Sequence, residues 1–145
     1  MIEAELNQSL LKGGQRMPIA QLKKVLSACS RALKVKGTVY VSIGFISKAQ
    51  MRKLNREWRG KDRVTDVLSF ELDGEQMKGE ILLSYDQAKI QGQEMGHSTR
   101  DEISFLIVHG ILHLFGYDHE KPNDAKKMFP LQEKILHSLT IDSRL

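Results

Sequence analysis

Apolar and polar positions alternate at the start of the chain, where Ile2, Ala4 and Leu6 are interleaved with Glu3 and Glu5. That period of two predicts a short half-buried strand over residues 1–6. Pro18 is suited to open a helix, and Ile19, Leu22, Leu26, Cys29 and Leu33 then recur at helical spacing. Gly37 ends this element, and Thr38-Val39-Tyr40-Val41-Ser42-Ile43 reads as a strand from its β-branched and aromatic content. Ser47 is placed to cap a second helix running to about Trp58, with a basic loop over residues 59–63. Strands are predicted over 66–71 and 79–84, joined through an Asp73-Gly74 turn. A short helix is expected over 85–93. Ser98 with Asp101, or Thr99 with Glu102, forms a capping box opening a strongly apolar helix to about Phe115. A last amphipathic helix covers about 123–139, with a kink expected at Pro130. The pattern predicts an α+β fold with about four strands in a mixed sheet and four to five helices.

A chain of 145 residues can bury one core but hardly two, so residues 1–145 are expected to form one domain. No segment has the apolar length of a membrane span, and the first residues lack the basic start and apolar run of a signal peptide. Cys29 is the only cysteine, which excludes an internal disulfide and points to a reducing, cytoplasmic setting. The net charge of +4 hides an asymmetry. From Leu6 to Arg56 there are eleven Lys/Arg and no Asp or Glu, whereas the rest of the chain holds eleven basic and eighteen acidic residues. Such a distribution fits a face that attracts polyanions, nucleic acid above all; a solvated lysine-rich surface is the alternative. The candidate contacts are Lys23, Lys24, Arg31, Arg52, Lys53, Arg56, Lys61 and Arg63.

The chemistry is concentrated in His109-Gly-Ile-Leu-His113-Leu-Phe-Gly116-Tyr-Asp-His119. Residues i and i+4 share a helix face, so His109 and His113 can address one ion. Gly116 suits a left-handed helix end, after which the chain can turn back and bring in His119. Three imidazoles fit Zn²⁺ and leave a coordination position open for chemistry, as catalytic rather than structural sites do. Packed core histidines are the alternative, but three of the five histidines fall within eleven residues of a helix that is apolar nearly all round. The spacing is that of the metzincin proteases, which carry glutamate directly after the first histidine as general base. Here that position is Gly110, which disfavours peptide hydrolysis. Compensating electrostatics are sought instead among the cations of residues 52–63, since an arginine can grip a phosphate through two parallel hydrogen bonds.

The sequence resembles the YbeY family of bacterial single-zinc endoribonucleases. The resemblance runs from about Leu54 to Leu136 and rests on Leu54-Asn55, Arg59, Thr65 to Phe70, Gly79 to Ser84, Gly96-His97-Ser98, the His109–His119 run, Asp124-Ala125 through Met128-Phe129, and Gln132 to Leu136. Trp58, Val64, Glu71 and Glu80 depart from residues common in the family. The resemblance implies one zinc ion per chain held by His109, His113 and His119, and a functional arginine at Arg59 facing the metal cleft. It further implies action on single-stranded ribosomal RNA, maturation of the 16S 3′ end, ribosome quality control, and partners among the ribosome or small-subunit assembly proteins. No membrane and no nucleotide cofactor are implied. The rival readings are a non-catalytic, zinc-containing ribosome-assembly or RNA-binding factor and a metallopeptidase.

Smaller expectations concern neighbouring residues. Asp118 either orients a ligand histidine or forms a turn. Thr65, Asp66 and Ser69 are explained by hydrogen bonding at a strand start, His137 by a surface position, and Cys29 by the core.

Overall fold

The structure is a computed structural model describing residues 1–72, 74 and 76–141. Asp73 of the expected Asp73-Gly74 turn lies outside the described residues. Strands β1 (Ile2–Asn7), β2 (Val39–Phe45), β3 (Val67–Glu71) and β4 (Met77–Leu83) form one sheet in the order β1-β2-β4-β3. β1 pairs parallel with β2, β2 parallel with β4, and β3 antiparallel with β4, giving the mixed α+β sheet the pattern predicts. The helices are α1 (Ile19–Ala32), α2 (Lys48–Arg59), α3 (Tyr85–Met95), α4 (Thr99–Leu114) and α5 (Pro122–Ser138). A 3-10 turn at Gly13–Gln15 is not predicted by the hydrophobic pattern. Among the described residues no helix is long and apolar enough to cross a membrane.

α4 is the hub, packing against α1, α3, α5 and strands β3 and β4. Its sequence explains this position, because Ile103, Phe105, Leu106, Ile107, Val108, Ile111, Leu112 and Leu114 are all buried around its circumference. Of the two possible caps, Ser98 is the one formed: its hydroxyl accepts from the Asp101 backbone N–H at 3.1 Å. α5 continues through Pro130 as one element. Ser84, expected at the end of a strand, instead caps α3 by accepting from the Gln87 N–H.

Alternation along β3 separates two environments. Val67 packs against the main core. Leu68 is buried outside that core cluster, as is Met51 of α2, which places α2 with the opposite face of the sheet. The strand's hydrogen bonding also has two sides. Asp66 O accepts from Ser84 N, and Leu72 N donates to Lys78 O. Even-numbered residues therefore bond to β4, leaving the backbone groups of Val67, Ser69 and Glu71 on the free edge.

Candidate metal centre

Local sequence dictates how the three imidazoles meet. His109 and His113 are one helical turn apart on α4, and their Nε2 atoms lie 3.0 Å from each other. The helix then closes in a Schellman arrangement, with Gly116 N donating to His113 O and Tyr117 N to Leu112 O. Gly116 has φ of 93°, a conformation that glycine adopts without the Cβ clash of other residues. The reversed chain brings His119 back, and the ligand atoms of the three histidines all lie within 4.8 Å of one another. Tetrahedral coordination at ~2.0–2.1 Å sets ligand nitrogens about 3.3 Å apart, a spacing between the 3.0 Å of the His109–His113 pair and the 4.8 Å that bounds the cluster, so small ring movements suit it to an ion.

The surroundings orient these rings. Nδ1 of His109 donates to Oε1 of Gln132 at 2.7 Å, which leaves Nε2 as the lone-pair nitrogen facing the cluster. Gln132 is 1% exposed, so this bond forms inside the α4–α5 packing. Phe105 stacks on His109, and Phe129 of α5 stacks on His119. Burial, opposed in part by the Gln132 bond, pushes the His109 pKa down to about 4. His113 is shifted down as well, by burial first and then by the nearby His119. Both shifts favour the neutral imidazole, the form that binds a metal.

Asp118 forms a turn. Its Oδ1 accepts from the His119 N–H at 2.7 Å and, more weakly, from Glu120 N at 3.4 Å, bonds that pull its pKa down. It braces the loop carrying His119 through the backbone. Asp66 Oδ1 accepts from Val67 N and from the Thr65 hydroxyl, as expected of a strand start. Gly110 shows why no glutamate follows His109. A Cβ there would lie 3.0–3.1 Å from three side-chain carbons of Ile81, itself fully buried.

The imidazoles open onto a cleft of about 660 Å³. Its other wall includes Asn55, Arg59, Lys61, Arg63, Ser69 and Glu71. Arg59 is the last residue of α2 rather than the first of a loop, and Gly60 caps the helix in the left-handed conformation. Its Nη2 donates to the free-edge carbonyl of Ser69 at 3.0 Å. Buried Asn55 donates from Nδ2 to Arg63 O at 3.0 Å and so pins the basic loop to α2.

The remaining basic candidates are placed differently. Arg52 makes a two-pronged bond to Asp62, at 2.8 and 3.2 Å, and Arg56 lies 3.9 Å from the same carboxylate. Neither these residues nor Lys53 lines the cleft. Lys23, Lys24 and Arg31 are on α1 and do not line it either. The bonds made by Gln132 and Asn55 do not follow from the sequence, whose signals are a place in the resembling segments and a polar residue at an inward helical position. Cys29 is buried in the core, and that burial pushes its thiol up to about 12, which rules out thiolate chemistry near neutral pH.

Fold and site together define a single α+β unit whose core helix carries a metal-competent histidine cluster into an open, partly cationic cleft. The sequence profile of the Endoribonuclease YbeY family matches residues 6–140, and the chain belongs to that family of RNA phosphodiester hydrolases. It is 39% identical over 132 residues to Endoribonuclease YbeY of Bacillus pumilus, covering 81% of this chain and 83% of that one. It is 46% identical over 110 residues to the Sulfurihydrogenibium protein of the same name, with 72% of each chain covered. A Thermotoga maritima protein of known solution structure superimposes with a TM-score of 0.60 at 27% identity, covering 99% of this chain and 97% of that one.

Proposed function

We propose that this chain is a zinc-dependent endoribonuclease acting on single-stranded ribosomal RNA, in maturation of the 16S 3′ end and in ribosome quality control, within the cytoplasm. The observation that carries this reading is one cleft lined by three convergent imidazoles and by Arg59. A zinc ion held by His109, His113 and His119 supplies Lewis-acid chemistry at oxygen. Gln132 holds His109 in the tautomer that offers Nε2. Arg59 spends one N–H on Ser69 O and keeps the rest of its five-donor fork for a phosphate, stabilising the charge that develops there. Lys61 and Arg63, also on the cleft wall, draw in the RNA backbone. Gly110 leaves no side chain in the position of the proteases' base, so the peptidase reading falls away.

The test is metal analysis of the purified protein together with cleavage of single-stranded ribosomal RNA, before and after chelator treatment. Near-stoichiometric zinc, with cleavage lost on chelation and regained on adding zinc, is the expected result. RNA binding without cleavage by the zinc-loaded protein instead makes it an assembly factor.

A further inference from the structure

Trp58 is the only tryptophan of the chain and is 67% exposed, more than any other large apolar residue described. Its place in the helix makes that exposure unusual. Met51, Leu54, Asn55 and Trp58 follow i, i+3, i+4, i+7 spacing, the stripe that α2 turns toward the protein, and Met51 and Asn55 on it are buried. Trp58 ends this stripe where the last turn overhangs the edge strand. It meets Phe70 of β3 edge-to-face, with ring centroids 6.0 Å apart at 72°. Leu72, also largely exposed, follows on the same side of that strand. A tryptophan serving only to anchor α2 gains by burying its indole, and this one leaves most of it in water.

Adjacent residues therefore clasp the edge strand from its two sides. Arg59 bonds Ser69 O and lines the metal cleft, while Trp58 packs on Phe70 outside it. A chain with a phosphate at Arg59 would pass over this edge onto the indole. Close to Trp58 in the chain, Lys61 lines the cleft, and of the nearby acids Asp62 is tied to Arg52 and Arg56, leaving Glu57 and Glu71. An aromatic face continuous with a cationic cleft matches an unpaired base of a single strand rather than a duplex, whose bases are already stacked.

We infer that Trp58, backed by Phe70, is a stacking subsite for the nucleobase that flanks the phosphate held at Arg59. The inference rests on the RNA-cleaving reading of the metal cleft and adds to it a reason for single-strand preference.

The test uses the zinc-loaded protein and a short, unstructured, non-cleavable 2′-O-methyl RNA. Because Trp58 is the sole tryptophan, its emission reports the subsite directly, and binding is expected to quench it. Trp58→Ala is expected to weaken single-strand binding by about 5- to 150-fold, the range of ~1–3 kcal/mol per stacked base. Affinity for a 2′-O-methyl duplex is expected to stay unchanged, and Trp58→Tyr to restore most of the loss. Trp58→Leu keeps an apolar contact to Phe70 without a stacking face and is expected to behave like the alanine variant. Full affinity in the leucine variant, equal losses for single strand and duplex, or unquenched emission on saturation each overturn the subsite while the nuclease reading stands. Failure of the parent protein to bind either RNA removes both.

Discussion

The amide oxygen of Gln132 accepts from Nδ1 of His109 across 2.7 Å, so a residue on the last helix sets which nitrogen of a core-helix histidine faces the cleft. Partners of this kind are worth about 10–100-fold in metal affinity. Gln132→Leu is expected to weaken zinc binding by that factor, measured by competition with a chromophoric chelator. Affinity equal to the parent's shows that the α4 geometry alone orients the ring.

Arg59→Ala is expected to lower single-turnover RNA cleavage by about 10²–10³-fold, as for loss of one preorganised donor. Bound zinc and circular dichroism are expected to match the parent. Arg59→Lys recovers only part of the rate, because an ammonium lacks the planar fork that serves Ser69 O and a phosphate together. Undiminished cleavage by the alanine variant removes Arg59 from the mechanism.

Acid stability of the metal-free protein follows from His109. Its pKa is about 4 in the fold against 6.5 for an unburied imidazole, so between these values the unfolded chain binds the extra proton. Stability is therefore complete above about pH 7 and is lost as the pH falls from 6.5 toward 4, by up to ~3 kcal/mol. Thermal melts across that window are expected to show the fall, and His109→Gln to reduce it, leaving the part due to His113, which burial shifts the same way. A parent melting point that does not move between pH 7 and 4.5 contradicts the buried, neutral imidazole.

Gly110→Ala sets two effects against each other. Alanine gains ~1 kcal/mol of helix propensity, but a methyl pressed against fully buried Ile81 costs ~1–3 kcal/mol in overpacking. A net destabilisation of about 1 kcal/mol is expected in denaturant melts; a stabilised variant means that Ile81 has room to yield.

What could be read from the sequence was what is local in the chain. The histidine spacing and the glycine turn act within eleven residues, so their convergence follows from helix geometry. Gln132 does not, because it joins His109 from twenty-three residues away and reads as one more polar residue of an amphipathic helix. Arg59 was expected in a loop because its only local stop signal, Gly60, allows the helix to end on either side of it. Its helical placement is what directs the guanidinium to the β3 edge. Charge misled most. The acid-free stretch from Leu6 to Arg56 is continuous in sequence, yet Lys23, Lys24 and Arg31 of α1 do not line the cleft and Asp62 engages Arg52. Proximity along the chain is not proximity in space.

The cleft has a floor and a wall with separate origins in the chain. Residues 109–132 supply the histidines and their orienting partner from the core helix onward, whereas residues 55–71 supply the cations and the strand edge that rise opposite. The two segments meet where α4 packs against β3 rather than sharing a loop. A substitution in the wall can therefore change the charge of the cleft without touching the three imidazoles or the Gln132 bond that orients them.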